Sequence, residues 1–157
     1  DRLKNYLESN KVKYVTINHS PAFTASEIAE LSHIKGKEMV KSVIFHSGSD
    51  ICMAVVPSTF WVSCENLKKV TGAPFVELAH EHEFTTMFPG CAPGAMPPFG
   101  HLFDMDVFMD EKILEDEMIA FSAGSHSQIL QMALNDYIEL ANPIIVSLST
   151  THKHNAA

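Results

Sequence analysis

Basic residues are scarce in this chain. Eleven Lys and Arg face nineteen Asp and Glu, the formal charge is −8, and Arg2 is the one arginine. A protein that grips long stretches of nucleic acid needs clustered cations, because phosphate neutralisation supplies most of that affinity. Extended nucleic-acid binding is therefore excluded as a main role, whereas a pocket for a short single-stranded end is not. Long hydrophobic runs are also missing, so no segment reads as a bilayer span, and no leading segment reads as a signal peptide. The three cysteines, Cys52, Cys64 and Cys91, are odd in number and form no CxxC. They point to reduced thiols in a cytoplasmic protein. P-loop, GxGxxG and GxSxG motifs are absent, which leaves nucleotide-dependent chemistry and the usual serine hydrolases unsupported.

What remains is an ordinary globular balance, 46% hydrophobic and 19% charged over 157 residues. That length suits one domain with one core. Leu3, Tyr6 and Leu7 share a helical face, which predicts a helix over residues 2–10. Val12 to Ile17 reads as a strand, and His19-Ser20-Pro21 breaks it. Thr24-Ala25-Ser26-Glu27 has the form of a capping box, predicting a helix to about residue 33. Lys37 to Phe45 and Ile51 to Val56 read as an antiparallel pair around the turn His46 to Asp50. A helix over 64–71 closed by Gly72, a strand over Pro74 to Leu78 and a helix over His80 to Met87 follow. Residues 89–100 hold too many prolines and glycines for helix or central strand. Strands near Val107–Met109, Met118–Ser122 and Gln128–Ala133, then a helix over Asn135 to Ala141, complete the pattern. The expected fold class is α/β: a single domain, residues 1–149, with a mixed, mostly antiparallel sheet surrounded by helices. Residues 150–157 are expected to form a polar tail.

Several residues carry chemistry, each with an ordinary alternative. Lys41 lies in the apolar run Met39 to Phe45; it is either a strand lysine snorkelling to water or a cation at a pocket floor. Gly94 to Gly100 is either a rigid surface crossover or a loop whose backbone N–H groups are preorganised for an oxyanion. His126, flanked by Ser125 and Ser127, is either a solvated turn histidine or a group that orients substrate or moves a proton. His80-Glu81-His82-Glu83 lacks the i, i+4 spacing of a metal-binding helix. Cys52 reads as core, and Cys91 is the one plausible reactive thiol.

In order along the chain, these stretches resemble a known family. They are His19-Ser20-Pro21-Ala22-Phe23-Thr24-Ala25, Val40-Lys41-Ser42-Val43-Ile44, Gly94-Ala95-Met96-Pro97-Pro98-Phe99-Gly100 and Ser122-Ala123-Gly124-Ser125-His126. The resemblance is to the YbaK/ProX family of aminoacyl-tRNA editing domains, also found as the insertion domain of bacterial prolyl-tRNA synthetases, and spans roughly residues 1–145. It implies a freestanding deacylase, without cofactor or metal, that hydrolyses the ester of a mischarged tRNA carrying a small amino acid. Lys41 then matches the family's essential lysine, a positioning cation. Gly94, Ala95, Met96 and Pro98 match the Gly-x-x-x-Pro loop that stabilises the tetrahedral oxyanion. His19, Phe23, Thr24, Phe99, Gly100, Gly124, Ser125 and His126 are implied as substrate-binding positions. The implied partner is the acceptor end of an aminoacyl-tRNA, delivered with or without a synthetase or elongation factor. Two rivals stand beside this reading: a non-catalytic module binding a tRNA end or a synthetase, and a small-ester or thioester hydrolase using Cys91.

Overall fold

A computed structural model describes residues 2–20, 27, 38–92 and 94–151. The first helix, α1 (Arg2–Ser9), buries Leu3 and Leu7 on one face. It ends where Lys11 turns to φ 58° and the Val12 N–H closes on Leu7 O at 3.0 Å. Val12 is spent on that closure, so β1 (Tyr14–Asn18) begins two residues later than the β-branched run suggests. The helix expected over Thr24 to about 33 lies outside the described residues, apart from Glu27, which is helical.

The predicted antiparallel pair forms as β2 (Val40–Ser47) and β3 (Asp50–Pro57). Ser47 pairs with Asp50 across a two-residue turn, and Gly48 supplies the positive φ of 61° that this tight hairpin needs. A two-residue strand, β4 (Trp61–Val62), follows. Helix α2 (Cys64–Thr71) starts at a Ser63 cap that accepts from the Asn66 N–H and ends at Gly72 with φ 67°. Strand β5 (Val76–Leu78) is shorter than expected. The helix expected over His80 to Met87 is α3 (Glu81–Phe84), followed by a 3₁₀ turn over Thr85–Met87. Two β-branched threonines disfavour a further α turn, and Pro89 drives Phe88 out of helical space, to φ −121° and ψ 69°.

Beyond the proline-glycine stretch come β6 (Val107–Asp110), β7 (Met118–Ser122), β8 (Gln128–Ala133) and α4 (Leu134–Ala141). Asn142, at φ 46°, ends α4. Two strands that the sequence pattern missed follow, β9 (Ile144–Val146) and β10 (Ser149–Thr150). β10 pairs with β4 through Ser149–Val62 and Thr150–Trp61.

The α/β, mostly antiparallel architecture is thus what forms, as a single domain, with its strands distributed over three sheets. The five-stranded sheet runs β5-β2-β3-β6-β9. Its central strands are covered on both faces, which is why they read as continuous apolar runs. One face packs Val40, Ile44, Met53, Val55, Val107 and Met109 into the main core. The other packs Phe45, Cys52, Ala54, Val56 and Phe108 against Val62 and Leu67. The three-stranded sheet runs β1-β8-β7. Among the described residues a parallel bridge, Met39 to Ala120, joins the two sheets. Among the described residues no helix is long and apolar enough to cross a membrane.

Candidate functional site

That bridge decides where the candidate residues lie. β2 runs parallel to β7 across it, so Lys41, two residues past Met39, lies level with Ser122, two residues past Ala120. Ser122 pairs with Ile129, Ile129 pairs with Ile17, and the His19 N–H donates to Ser127 O at 2.8 Å. One end of the joined sheets therefore collects Lys41, the Ser122–Ser127 turn and His19. With strands about 4.8 Å apart and His19 two residues beyond the row of Lys41, Ser122, Ile129 and Ile17, Lys41 and His19 stand roughly 16 Å from one another.

Side-chain alternation then selects a face. Met39, Ala120 and Ile129 pack together with Ile17 on one side of the joined sheets. Lys41, Ser122 and His19 follow at two-residue steps and share that side. Val40, Phe121 and Leu130 turn the other way, into the main core.

The glycine-proline loop is tied to the same end. Gly124 N–H donates to Ala95 O at 2.9 Å, and Ala92 N–H donates to Gly124 O at 2.8 Å. Gly94 has φ 80° and lies so near His126 that an added Cβ would sit 3.5 Å from its Cε1. The Ala95 N–H closes a turn on Ala92 O, and the Phe99 N–H turns back to Pro97 O. Among the described residues the N–H groups of Gly94 and Met96 have no hydrogen-bond partner. Gly94 is exposed whereas Ala95 to Gly100 are buried, so the loop presents its first residue and anchors the rest.

Phe99 and Gly100 form that anchor. The Phe99 ring is wholly buried, edge-on to Phe121 at 5.8 Å and to Tyr137 at 5.1 Å. A Cβ on Gly100 would meet Val107 Cγ2 at 2.7 Å and Met105 O at 3.0 Å. Their place is beneath the loop, not at its mouth. Tyr137 donates from its hydroxyl to Pro98 O at 2.6 Å, and burial pushes this phenol well up, keeping it a donor. Tyr137→Phe leaves the Pro98 carbonyl unpaired. It should lower stability by about 1–2 kcal/mol, measurable by denaturant unfolding, with a several-fold loss of any loop-dependent activity.

The Lys41 ammonium lies 4.5 Å from the centroid of the Trp61 ring. Burial pushes its pKa below the ordinary lysine value, and among the described residues no carboxylate lies within ion-pair distance of it. Trp61 escaped the sequence reading because a two-residue strand shows no periodicity; its being the chain's one tryptophan was the available signal. His19 Nδ1 lies 2.9 Å from Ser20 O, and its buried Nε2 has no partner among the described residues. Ser125 and Ser127 hydroxyls lie 3.2 Å apart, and His126 is exposed. Phe23 and Thr24 lie outside the described residues.

The remaining candidates sit elsewhere. Cys91 lines a cleft of about 310 Å³ with Arg2, Leu3, Pro97, Phe103 and Gly124, and burial pushes its thiol up. Cys52 is buried, its thiol pushed up to about 11 by burial and by Asp106 and Asp50. His80 and His82 stack at 5.8 Å, and His46 Nε2 pairs with Glu83 Oε2. Among the described residues no group of three or more His, Cys, Asp or Glu is placed to hold a metal ion.

Residues 19–140 match the family model of the aminoacyl-tRNA editing domain. The chain belongs to that family. No curated protein matches it. Among solved structures, that of a hypothetical protein is 18% identical with a TM-score of 0.84, covering 96% of this chain and 100% of the other. That of a protein proposed as a trans-editing enzyme for prolyl tRNA synthetase is 20% identical with a TM-score of 0.81, covering 95% of each chain. A third, from Marinobacter aquaeolei VT8 and proposed to act in signal transduction, is 14% identical with a TM-score of 0.76. It covers 96% of this chain but 31% of its own. At these identities the three structures show a shared fold. Within the matched segment, Lys41, the glycine-proline loop and the histidine-bearing turn lie along one end of two joined sheets.

Proposed function

We propose that this editing domain hydrolyses the ester linking a small amino acid to the 3′ end of a mischarged tRNA. The observation that supports the reading is the placement of His19, Lys41, Gly94–Met96 and the 122–127 turn along one sheet end, within the segment that matches the editing family. Water adds to the ester carbonyl, and the carbonyl oxygen becomes an oxyanion. The Gly94 and Met96 N–H groups are fixed donors that need no rearrangement to meet it. Collapse of the tetrahedral species expels the ribose oxygen, which takes up a proton and leaves the free amino acid. A vicinal ribose hydroxyl can place the water, so no strong protein base is required for an ester that is already activated. Lys41 binds the substrate's oxygen-rich end through charge; it does not attack. The floor of Ala120, Ile129 and Ile17 closes in on the acyl group and favours small ones by sterics.

The acidic surface confines contact to the acceptor end, with a synthetase or elongation factor as the delivering partner. The test is a panel of mischarged tRNAs incubated with the wild type. Release of amino acid above the buffer rate from at least one member is expected; tight tRNA-end binding without release on every member would mean a binding module instead.

A thiol route through Cys91 requires a low-pKa thiolate, and the burial that raises this thiol opposes it. Cys91→Ser is accordingly expected to keep deacylation within about twofold of wild type, in the same assay. A loss on the scale of a missing nucleophile would place the chemistry on the sulfur.

A further inference from the structure

We infer that Trp61 is a positioning residue for Lys41: its indole face holds the ammonium in place over β2 without cancelling its charge. The inference rests on the proposed role of Lys41. A lysine carries four rotatable bonds and about 2 kcal/mol of rotamer entropy. A cation that must meet one substrate group needs something to fix it. The usual partner, a carboxylate, would hold it but would also repel an anionic or oxygen-rich substrate. An aromatic face attracts the cation through its quadrupole and leaves its positive charge to be shared. Lys41 Nζ lies 4.5 Å from the Trp61 centroid, and among the described residues it has no acidic partner.

The mounting of Trp61 supports this assignment. A strand of two residues does not hold its own geometry, yet β4 is pinned from both sides. Val62 is wholly buried in the second core beside Leu67 and Leu148. Ser63 N–H donates to Leu148 O at 2.7 Å. β10 pairs with β4, and β10 is in turn fixed by Asp110, a fully buried carboxylate. Asp110 accepts from the Leu148 N–H at 3.2 Å and from the Ser149 hydroxyl at 2.7 Å. Lys112 donates to Ser149 Oγ at 3.0 Å and lies 3.8 Å from Asp110. A buried, three-partner anchor placed behind one pair of strand residues is out of proportion to a surface tryptophan. It is in proportion to a ring whose position matters.

The test compares Trp61→Phe and Trp61→Leu with wild type, each checked for folding by circular dichroism. Two readouts are taken. In ¹H–¹³C spectra the Lys41 ε-methylene signals should be shifted upfield in wild type by the ring beneath them. They should be partly shifted in Trp61→Phe and return to the ordinary lysine position in Trp61→Leu. In the mischarged-tRNA assay Trp61→Leu should lose roughly 3- to 30-fold in kcat/KM, the span of one cation–π contact, and Trp61→Phe should recover most of it. An unshifted Lys41 signal in wild type, or a folded Trp61→Leu with wild-type kcat/KM, overturns the inference. If no protein in the series, wild type included, releases amino acid, the deacylase reading fails; the spectra then still decide whether the indole holds the ammonium.

Discussion

Lys41→Ala is expected to lower kcat/KM on the cognate mischarged tRNA by about 10²- to 10³-fold while leaving the fold intact. That magnitude is what the loss of one transition-state electrostatic contact costs in comparable sites. The fold should survive because Lys41 is half-buried, lies near the start of its strand and, among the described residues, supports no buried ion pair. The central packing of β2 rests instead on Val40, Ile44 and Phe45, which are buried in the two cores. Unfolding midpoints of wild type and variant should therefore agree within about 1 kcal/mol, as for a substitution away from the core. The pH profile supplies an independent check. Burial lowers the Lys41 pKa, and on the proposed function the charged form is the one that binds. Activity should thus fall on the alkaline side at a pH below the ordinary lysine range, and that limb should vanish in Lys41→Ala. A variant with wild-type turnover on every mischarged tRNA would remove Lys41 from the mechanism.

Gly100→Ala carries the largest expected effect on stability. The new Cβ would stand 2.7 Å from Val107 Cγ2 and 3.0 Å from the backbone oxygen of Met105. The first contact can relax by a rotamer change. The second is backbone, and the same residue is tied down, since the Met105 N–H donates to Gly100 O at 2.9 Å. Relief must come from moving the 3₁₀ turn Gly100–Phe103 or strand β6. Overpacking of this kind costs about 1–3 kcal/mol. The turn also follows directly on Phe99, so the displacement reaches the Gly94–Met96 donors. A drop in the urea midpoint with an unchanged m-value, together with loss of deacylation, is the expected pair of results. Unchanged stability would show that the turn is looser than its contacts indicate.

These two positions also mark how far the sequence could be read. Lys41 was visible as an anomaly, a charge in an apolar strand, and Gly100 as part of a proline-glycine cluster. Order along the chain made them a family pattern. Regular elements with strong local signals, such as the capped helix Cys64–Thr71 and strands β7 and β8, fall where the pattern puts them. What escaped depends on distant partners. β4 and β10 exist because each supplies the other's hydrogen bonds and Asp110 ties down the junction. β9 forms against β6, through Phe108–Ile144 and its neighbours. The division of the loop into an exposed Gly94 and a buried Phe99 follows from packing against Tyr137 and Phe121. No periodicity within twelve residues could have separated those roles.

The seam at Met39 and Ala120 has a further consequence. The cation is mounted on one sheet, whereas the small apolar floor and the histidine turn are mounted on the other, and the Met39–Ala120 bridge couples them. On the proposed function, the acyl-facing floor and the Lys41 cation are therefore carried on separate sheets. Ile17, Ala120 and Ile129 can change volume in step with one another, and Met39, which packs with them and lies two residues before Lys41, is where such a change would reach the cation's strand. On the proposed function, a domain so divided would be retuned from one acyl group to another with Met39 as the coupling position.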